Sequence, residues 1–525
     1  MISFFPIIAL SILLITAVGL IVLNSTRSGF AYSWLIATLG ILLAWPLLFF
    51  SRLAIPQVIE IIPWRPEFLY PASPIMVIDQ ISWPFSIALI TIALSTLLTS
   101  VVRSSEVWTD WFSVLVVTVF GILAVLAGNP LTLILGWAAL DLIELIIYLW
   151  RIDIRVWREH VIVVFSVRIG GIWLLLLGST FTGMFEMTWL FANITQQASV
   201  LLIFAASIRL GAIYFGGAYG RDYPFSRGLG TLLRLAPAGS SLMLLARIAV
   251  VGVSGSLMLF LLIIVVFVAL FAGYAWLFAK SEIDGQPYWI LGMTAFSIVN
   301  CIEGLPESSL SWGLAMLFSG ALLLLYSVRY RYLIVMIIFG LLGFSGLPLT
   351  PLWNGMNQYS SPNKTLLVLL IIPHAMLLAG YMWQALKEGR KITEGERWIR
   401  VVYPWGLALL PLAYFIVGDW GYQSLQLTDG SLLMFMASIT TLLLTAGIII
   451  GLRSGYKIPI RVSSVIVSFF SMEWLRSFSW SMFQLLGRIV NLLQSVLEGE
   501  GGVLWAILLL ILILVFLVNI GIVGI

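Results

Sequence analysis

Apolar runs of about twenty residues recur along the whole chain, separated by short polar joints, and each is long enough to cross a bilayer as a helix. The pattern predicts sixteen spans, near 3–23, 31–51, 82–102, 111–127, 130–150, 161–178, 197–216, 230–252, 256–279, 287–303, 310–328, 332–356, 365–386, 402–418, 431–452 and 503–524. The fold class is therefore an all-α polytopic membrane protein. Two spans are interrupted. The seventh ends in the glycine-dense LGAIYFGGAYGRDYP (210–224), with Gly216, Gly217 and Gly220. The twelfth contains FGLLGFSGLPLTP (339–351), with Gly346, Pro348 and Pro351. Such breaks free backbone groups, which protein or a water-filled cavity must then satisfy.

The two breaks lie five spans apart, and an odd offset inverts one unit relative to the other. This predicts two inverted five-helix repeats, the arrangement that paired interrupted segments mark in transporters. The expected organisation is 1–110 for spans one to three, 111–252 for the first repeat, and 256–386 for the second. Spans fourteen and fifteen follow at 402–452, and the last span lies in 503–525. The segment 463–501 differs. Glu473, Arg476, Ser477, Ser481, Gln484, Arg488, Asn491, Gln494 and Glu498 recur every three or four places against an apolar remainder. That periodicity predicts an amphipathic helix of roughly 35 residues, about 50 Å long, lying along the membrane surface.

Charge distribution orients the chain. Numbering the joints in order, odd ones hold twenty Lys and Arg and even ones hold only Arg52, Arg65 and Lys364. By the positive-inside rule the odd joints are cytoplasmic, so both termini are expected on the outer side of an energy-transducing inner membrane. The first run has no basic residue before it and no small-residue cleavage site, and it reads as a retained span rather than a signal peptide.

Composition narrows the function. Of 525 residues 61% are hydrophobic and 10% charged, with mean hydropathy +1.09; soluble domains carry about a quarter charged residues. The net charge of +4 forms no basic block suited to nucleic acid. One cysteine, Cys301, rules out a disulfide framework and a cysteine-ligated iron–sulfur cluster; two distant histidines, His160 and His374, argue against metal or haem. No phosphate-binding glycine loop is present, so no cofactor is expected in this chain.

The candidate chemistry is a short set of ionisable residues inside spans: Asp141 and Glu144 in span five, Arg168, Arg209, Arg234 and Arg247 in spans six to eight, and His374 in span thirteen. Intramembrane ionisable groups face a bundle interior and signal function by default. Two readings stay open. The acids move protons, or they neutralise four arginines that would be costly to bury unpaired. Asp79 is expected to cap span three, His374 to be a hydrogen-bonded interior histidine, and Glu498 and Glu500 to form a turn and partner contact.

Several stretches, in order, resemble the antiporter-like proton-channel subunits of respiratory complex I, of the large distal type, a family shared with multisubunit cation/proton antiporters and membrane-bound hydrogenases. They include MVIDQISWPFSIALITIALSTLL (76–98), LAGNPLTLILGWAALDLIELIIYL (126–149), LLRLAPAGSSLMLLARI (232–248) and GFSGLPLTPLW (343–353). The resemblance implies sixteen spans, outward termini and a lateral helix that braces sister subunits. It also implies flavin, iron–sulfur clusters and quinone in partner subunits. The departures bear on mechanism. The family's span-five glutamate after tryptophan is replaced here by Ala138 after Trp137. Its span-seven lysine corresponds to Arg209, and its span-eight lysine or histidine falls near Leu233, beside Arg234. The central histidines and lysine fall on Trp312, Met316 and Gly320, and the span-twelve position near Thr350. Arginine keeps its proton under essentially all protein conditions, so Arg209 retains a charge and loses a carrier.

These observations lead to an antiporter-like membrane subunit of a complex-I-like oxidoreductase, with a reduced proton path and a bracing role. The rivals are a subunit of a cation/proton antiporter or ion-coupled inorganic-carbon uptake system, and a purely structural membrane subunit.

Overall fold

The computed structural model describes residues 4–27, 30, 32–60, 73–102, 107–151, 155–181, 191, 194–211, 227–328, 330–361, 363–387, 398–421 and 431–454, and isolated positions between 481 and 511. The chain is an all-α membrane protein. Twelve described helices are long and apolar enough to cross a bilayer. In chain order the helices are α1 (Phe5–Thr26), α2 (Ser33–Phe50), α3 (Ser82–Ser100), α4 (Trp108–Val125), α5 (Pro130–Arg151), α6 (Arg155–Phe181), α7 (Gln196–Arg209) and α8 (Arg227–Ile248). They continue as α9 (Ser256–Leu277), α10 (Glu282–Ile302), α11 (Pro306–Leu325), α12 (Ile334–Gly343), α13 (Lys364–Leu367), α14 (Ile371–Leu386), α15 (Ile399–Gly421) and α16 (Ser431–Arg453).

Local chemistry sets several helix starts. Asn129 Oδ1 accepts from the Thr132 amide at 2.9 Å ahead of Pro130, and Ser281 Oγ accepts from the Asp284 amide at 3.2 Å. Both satisfy donors that a helix N-terminus leaves free. Asp79 does the same for α3, its Oδ1 accepting from Ile81 at 3.1 Å and Ser82 at 2.7 Å.

Helices α3, α8 and α11 are buried along nearly their whole length and form the core. Around them pack α4, α7, α10 and α15, while α1, α2, α6, α9 and α16 each expose a broad apolar face. Residues 1–214 and 218–458 form one compact unit; 215–217 and 459–525 form another. A short hairpin joins α2 to α3: β1 (Gln57–Glu60) pairs antiparallel with β2 (Ile75–Ile78), Gln57 opposite Ile78. It is pinned to the α4–α5 turn by Asn129 Nδ2 donating to Ser73 O at 2.7 Å and Val77 N donating to Leu126 O at 2.8 Å. The sequence pattern had suggested no strand.

The twelfth apolar run is two pieces. Helix α12 ends at Gly343, and a 3₁₀ segment, Trp353–Ser360, resumes after the intervening turn. Gly346 has φ +71° and Leu349 has φ +68°, and Pro348 and Pro351 flank Leu349. The freed carbonyls find partners. Gly340 O accepts from Ser319 Oγ at 3.2 Å, Gly343 O from the Leu352 amide at 3.2 Å, and Gly346 O from Ser438 Oγ. Irregular backbone at this depth is thus satisfied by α11 and α16. Gly216, Gly217 and Gly220 lie outside the described residues. So do the lateral segment 463–501 and the final span 503–524, apart from isolated positions that are helical.

Candidate functional site: a buried ion cluster and an aromatic core

Helix α5 carries Trp137, Asp141 and Glu144 on one buried face, at the spacing that stacks side chains on successive turns. Arg209, the last residue of α7, reaches across to Asp141 with both terminal nitrogens, Nη1 to Oδ2 at 2.5 Å and Nη2 to Oδ1 at 2.8 Å. This two-pronged pairing is the strongest geometry available to a carboxylate. Arg168 of α6 lies on the other side, its Nη1 3.4 Å from Asp141 Oδ1 and bonded to Glu144 Oε2. The Arg209 guanidinium lies 4.2 Å from the centre of the Trp137 ring, and the Trp137 indole N–H donates to Ser240 Oγ of α8 at 2.9 Å. Gly171 of α6 makes the approach possible, since a Cβ there would stand 2.8 Å from Arg209 Cγ.

The cluster holds two carboxylates and two guanidiniums, all buried, and is neutral with every group ionised. Glu144 Oε1 and Arg209 Nε have no hydrogen-bond partner among the described residues.

The other two arginines have separate arrangements. Arg247, at the end of α8, pairs with Asp79 at 2.9 Å and lies 5.8 Å from the Phe191 ring centre. Asp79 therefore both caps α3 and holds a charge. Arg234 of α8 bonds Gln286 of α10, and two turns back on α8 and one turn back on α10 Arg227 pairs with Glu282 at 2.6 Å. Asp141 and Glu144 thus serve Arg168 and Arg209 rather than all four arginines. The Arg227–Glu282 and Arg234–Gln286 contacts were not foreseen. Their signal was present as polar residues four apart on α10 facing basic residues seven apart on α8, both runs on a single helical face.

The middle of the chain has a different chemistry. Gly320 on α11 is filled by the Trp289 indole, whose Nε1 would stand 2.5 Å from a Cβ at that position. Trp289 Nε1 donates to Met316 O at 3.3 Å. The Trp289 ring packs against Trp276 at 5.4 Å, Phe344 at 5.2 Å and Tyr381 at 5.6 Å. Two turns away along both helices Trp312 stacks on Phe296 at 4.0 Å and donates to Gly355 O at 3.0 Å. His374 of α14 is fully buried, 4.9 Å from Trp312 ring to ring, with Nε2 3.0 Å from Phe344 O and Nδ1 without a hydrogen-bond partner among the described residues. It supports a carbonyl at the break in α12. Thr350 bonds Leu347 O inside the same break.

No protein-family model matches this sequence, and no curated protein matches it. Solved structures do match. A chain of respiratory complex I from Thermus thermophilus is similar with TM-score 0.58 at 16% identity, over 78% of this chain and 98% of that one. A chain of the membrane-bound sulfane sulfur reductase, an archaeal respiratory membrane complex, is similar with TM-score 0.64 at 11% identity, over 98% and 99%. A chain of the Mrp complex from Dietzia sp. DQ12-45-1b is similar with TM-score 0.67 at 14% identity, over 98% of this chain and 63% of that longer one. The chain has the fold of an antiporter-like subunit of the complex I type.

Proposed function

We propose that the chain is an antiporter-like membrane subunit of a complex-I-like, proton-translocating oxidoreductase. In this reading it keeps the transporter fold and works mainly as a brace and assembly element. The observation that carries the reduced proton path is the Trp289 indole in the space beside Gly320. A relay needs groups that bind and release protons, joined by water or hydroxyls. Here the centre is packed with indole and phenyl rings, and the first half holds a self-neutralised cluster whose cations are arginines. In this reading the two acids serve to balance cations that do not release their protons. Electron donor, flavin, iron–sulfur clusters and quinone belong, on this reading, to partner subunits. Sister antiporter-like subunits flank the chain, both termini face the outer side, and the segment 463–501 lies across its neighbours.

Likeness to the Mrp complex supports a second reading, a subunit of a cation/proton antiporter without redox chemistry. One experiment separates the two. The chain is tagged, extracted gently from its native membrane, and the co-purifying proteins are identified by mass spectrometry. Flavin and iron–sulfur subunits together with sister membrane proteins are expected. Recovery with cation-transport proteins only would overturn the redox assignment and leave the antiporter reading.

A further inference from the structure

Near the start of α15, one basic side chain stands apart from every ion pair described above. Arg400 is exposed and forms no ion pair among the described residues, whereas Arg168, Arg209, Arg227 and Arg247 each pair with a carboxylate. Its surroundings are built. One helical turn on, the Tyr403 hydroxyl accepts from the Ser327 amide at 2.9 Å and the Val328 amide at 3.0 Å, and donates to Leu325 O at 3.2 Å. That triple contact fixes α15 against the turn between α11 and α12. On that turn Tyr330 and Tyr332 stack with ring centres 5.5 Å apart and planes within 10°. Tyr332, 54% exposed, follows on that turn, and Arg400 stands one helical turn before the Tyr403 that holds it.

The sequence around this rim is net basic: Arg329 and Arg331 bracket Tyr330, and 387–400 holds five Lys and Arg against Glu388, Glu394 and Glu396. Leading away from this rim, α12 exposes Val335, Ile338 and Phe339, and α15 exposes Val401 and Trp405. Phe339 and Phe415 meet at 6.2 Å where the two helices pack. A cation and a phenol at the membrane boundary, continuous with an apolar valley, match a ligand with an anionic head and a hydrocarbon tail.

We propose that the α12–α15 valley binds an anionic phospholipid, its phosphodiester on Arg400 and the Tyr332 hydroxyl and its acyl chain along Val335, Phe339 and Trp405. Basic clefts between transmembrane helices recognise headgroups in this way, and each basic residue contributes about 1 kcal/mol near an anionic surface. At 1.4 kcal/mol per factor of ten, that is a selectivity of about fivefold from Arg400 alone. Zwitterionic lipid offers the same tail and no net charge. Free phosphate offers the charge and no tail.

The test is native mass spectrometry of the full chain in detergent with an equimolar mixture of dioleoylphosphatidylglycerol and dioleoylphosphatidylcholine. The wild type is expected to retain phosphatidylglycerol preferentially. Arg400→Gln should lose about fivefold of that preference, and Arg400→Lys should keep most of it. Arg453→Gln, which removes another exposed cation at the end of α16, should leave it unchanged. Arg400 is exposed, so these variants are expected to elute as the wild type does. Equal retention of the two lipids would overturn the proposal and leave the rim for an acidic protein segment. So would an equal loss in Arg400→Gln and Arg453→Gln, or complete displacement by excess inorganic phosphate, which would show a simple anion site.

Discussion

At the level of single residues, the buried cluster is governed by the fixed charge of arginine. The Arg209 side chain is wholly buried, and its charge must be met where it stands. Replacing Asp141 by Asn leaves that guanidinium without its two-pronged partner. Breaking a buried pair from one side costs about 3–5 kcal/mol. Asp141→Asn is therefore expected to lower the thermal midpoint and the yield of monodisperse chain in size-exclusion chromatography. Adding Arg209→Gln to Asp141→Asn should recover part of the loss, since it removes the orphaned charge as well. A singly substituted chain that folds normally would contradict the strut role. In the second half Gly320 gives a complementary test. Gly320→Ala pushes a methyl into the Trp289 indole, and overpacking of a close-packed core costs about 1–3 kcal/mol. Thermal stability should fall accordingly, and Gly320→Lys should not fold unless Trp289 is also made smaller.

The helices and their connections carry a second set of expectations. At the break in α12, Leu349 holds φ +68° with three quarters of its surface exposed. A left-handed conformation costs a side-chain-bearing residue about 1–2 kcal/mol, whereas glycine adopts it freely. Leu349→Gly is thus expected to raise the thermal midpoint slightly or leave it level; a marked fall would contradict the strain. Tyr403→Phe removes one hydroxyl that serves two amides and a carbonyl. Leaving such groups unsatisfied costs about 1–3 kcal/mol each where they are buried, so this variant should melt lower. The break itself was legible from Gly346, Pro348 and Pro351, because proline and glycine act on their own backbone. The partners of the freed carbonyls, Ser319 and Ser438, were not, because they come from other helices. The same distinction explains the hairpin: four-residue strands have little periodicity, and β2 is held by Ala127 from far along the chain. Asp141 and Glu144 announced themselves as acids in an apolar run. Which two of the four arginines they serve depended on helix packing, in particular on the close approach allowed at Gly171.

Over the whole molecule, the proposed reading places a reduced proton path within the fold of antiporter-like subunits. Three respiratory or transport complexes share the architecture at 11–16% identity, a level at which shape persists while side chains are replaced. Two halves of this chain have been filled differently. One carries paired charges between α5, α6 and α7; the other carries rings between α9, α10, α11 and α14. Both fillings tie neighbouring helices together through side chains, as the proposed bracing role requires. The most direct test is proton flux through the full chain in liposomes loaded with a pH-sensitive dye, driven by an imposed membrane potential. The wild type is expected to conduct no faster than protein-free liposomes. Conduction above that level, abolished by Asp141→Asn or Glu144→Gln in chains that still fold, would show a working proton path and contradict the account.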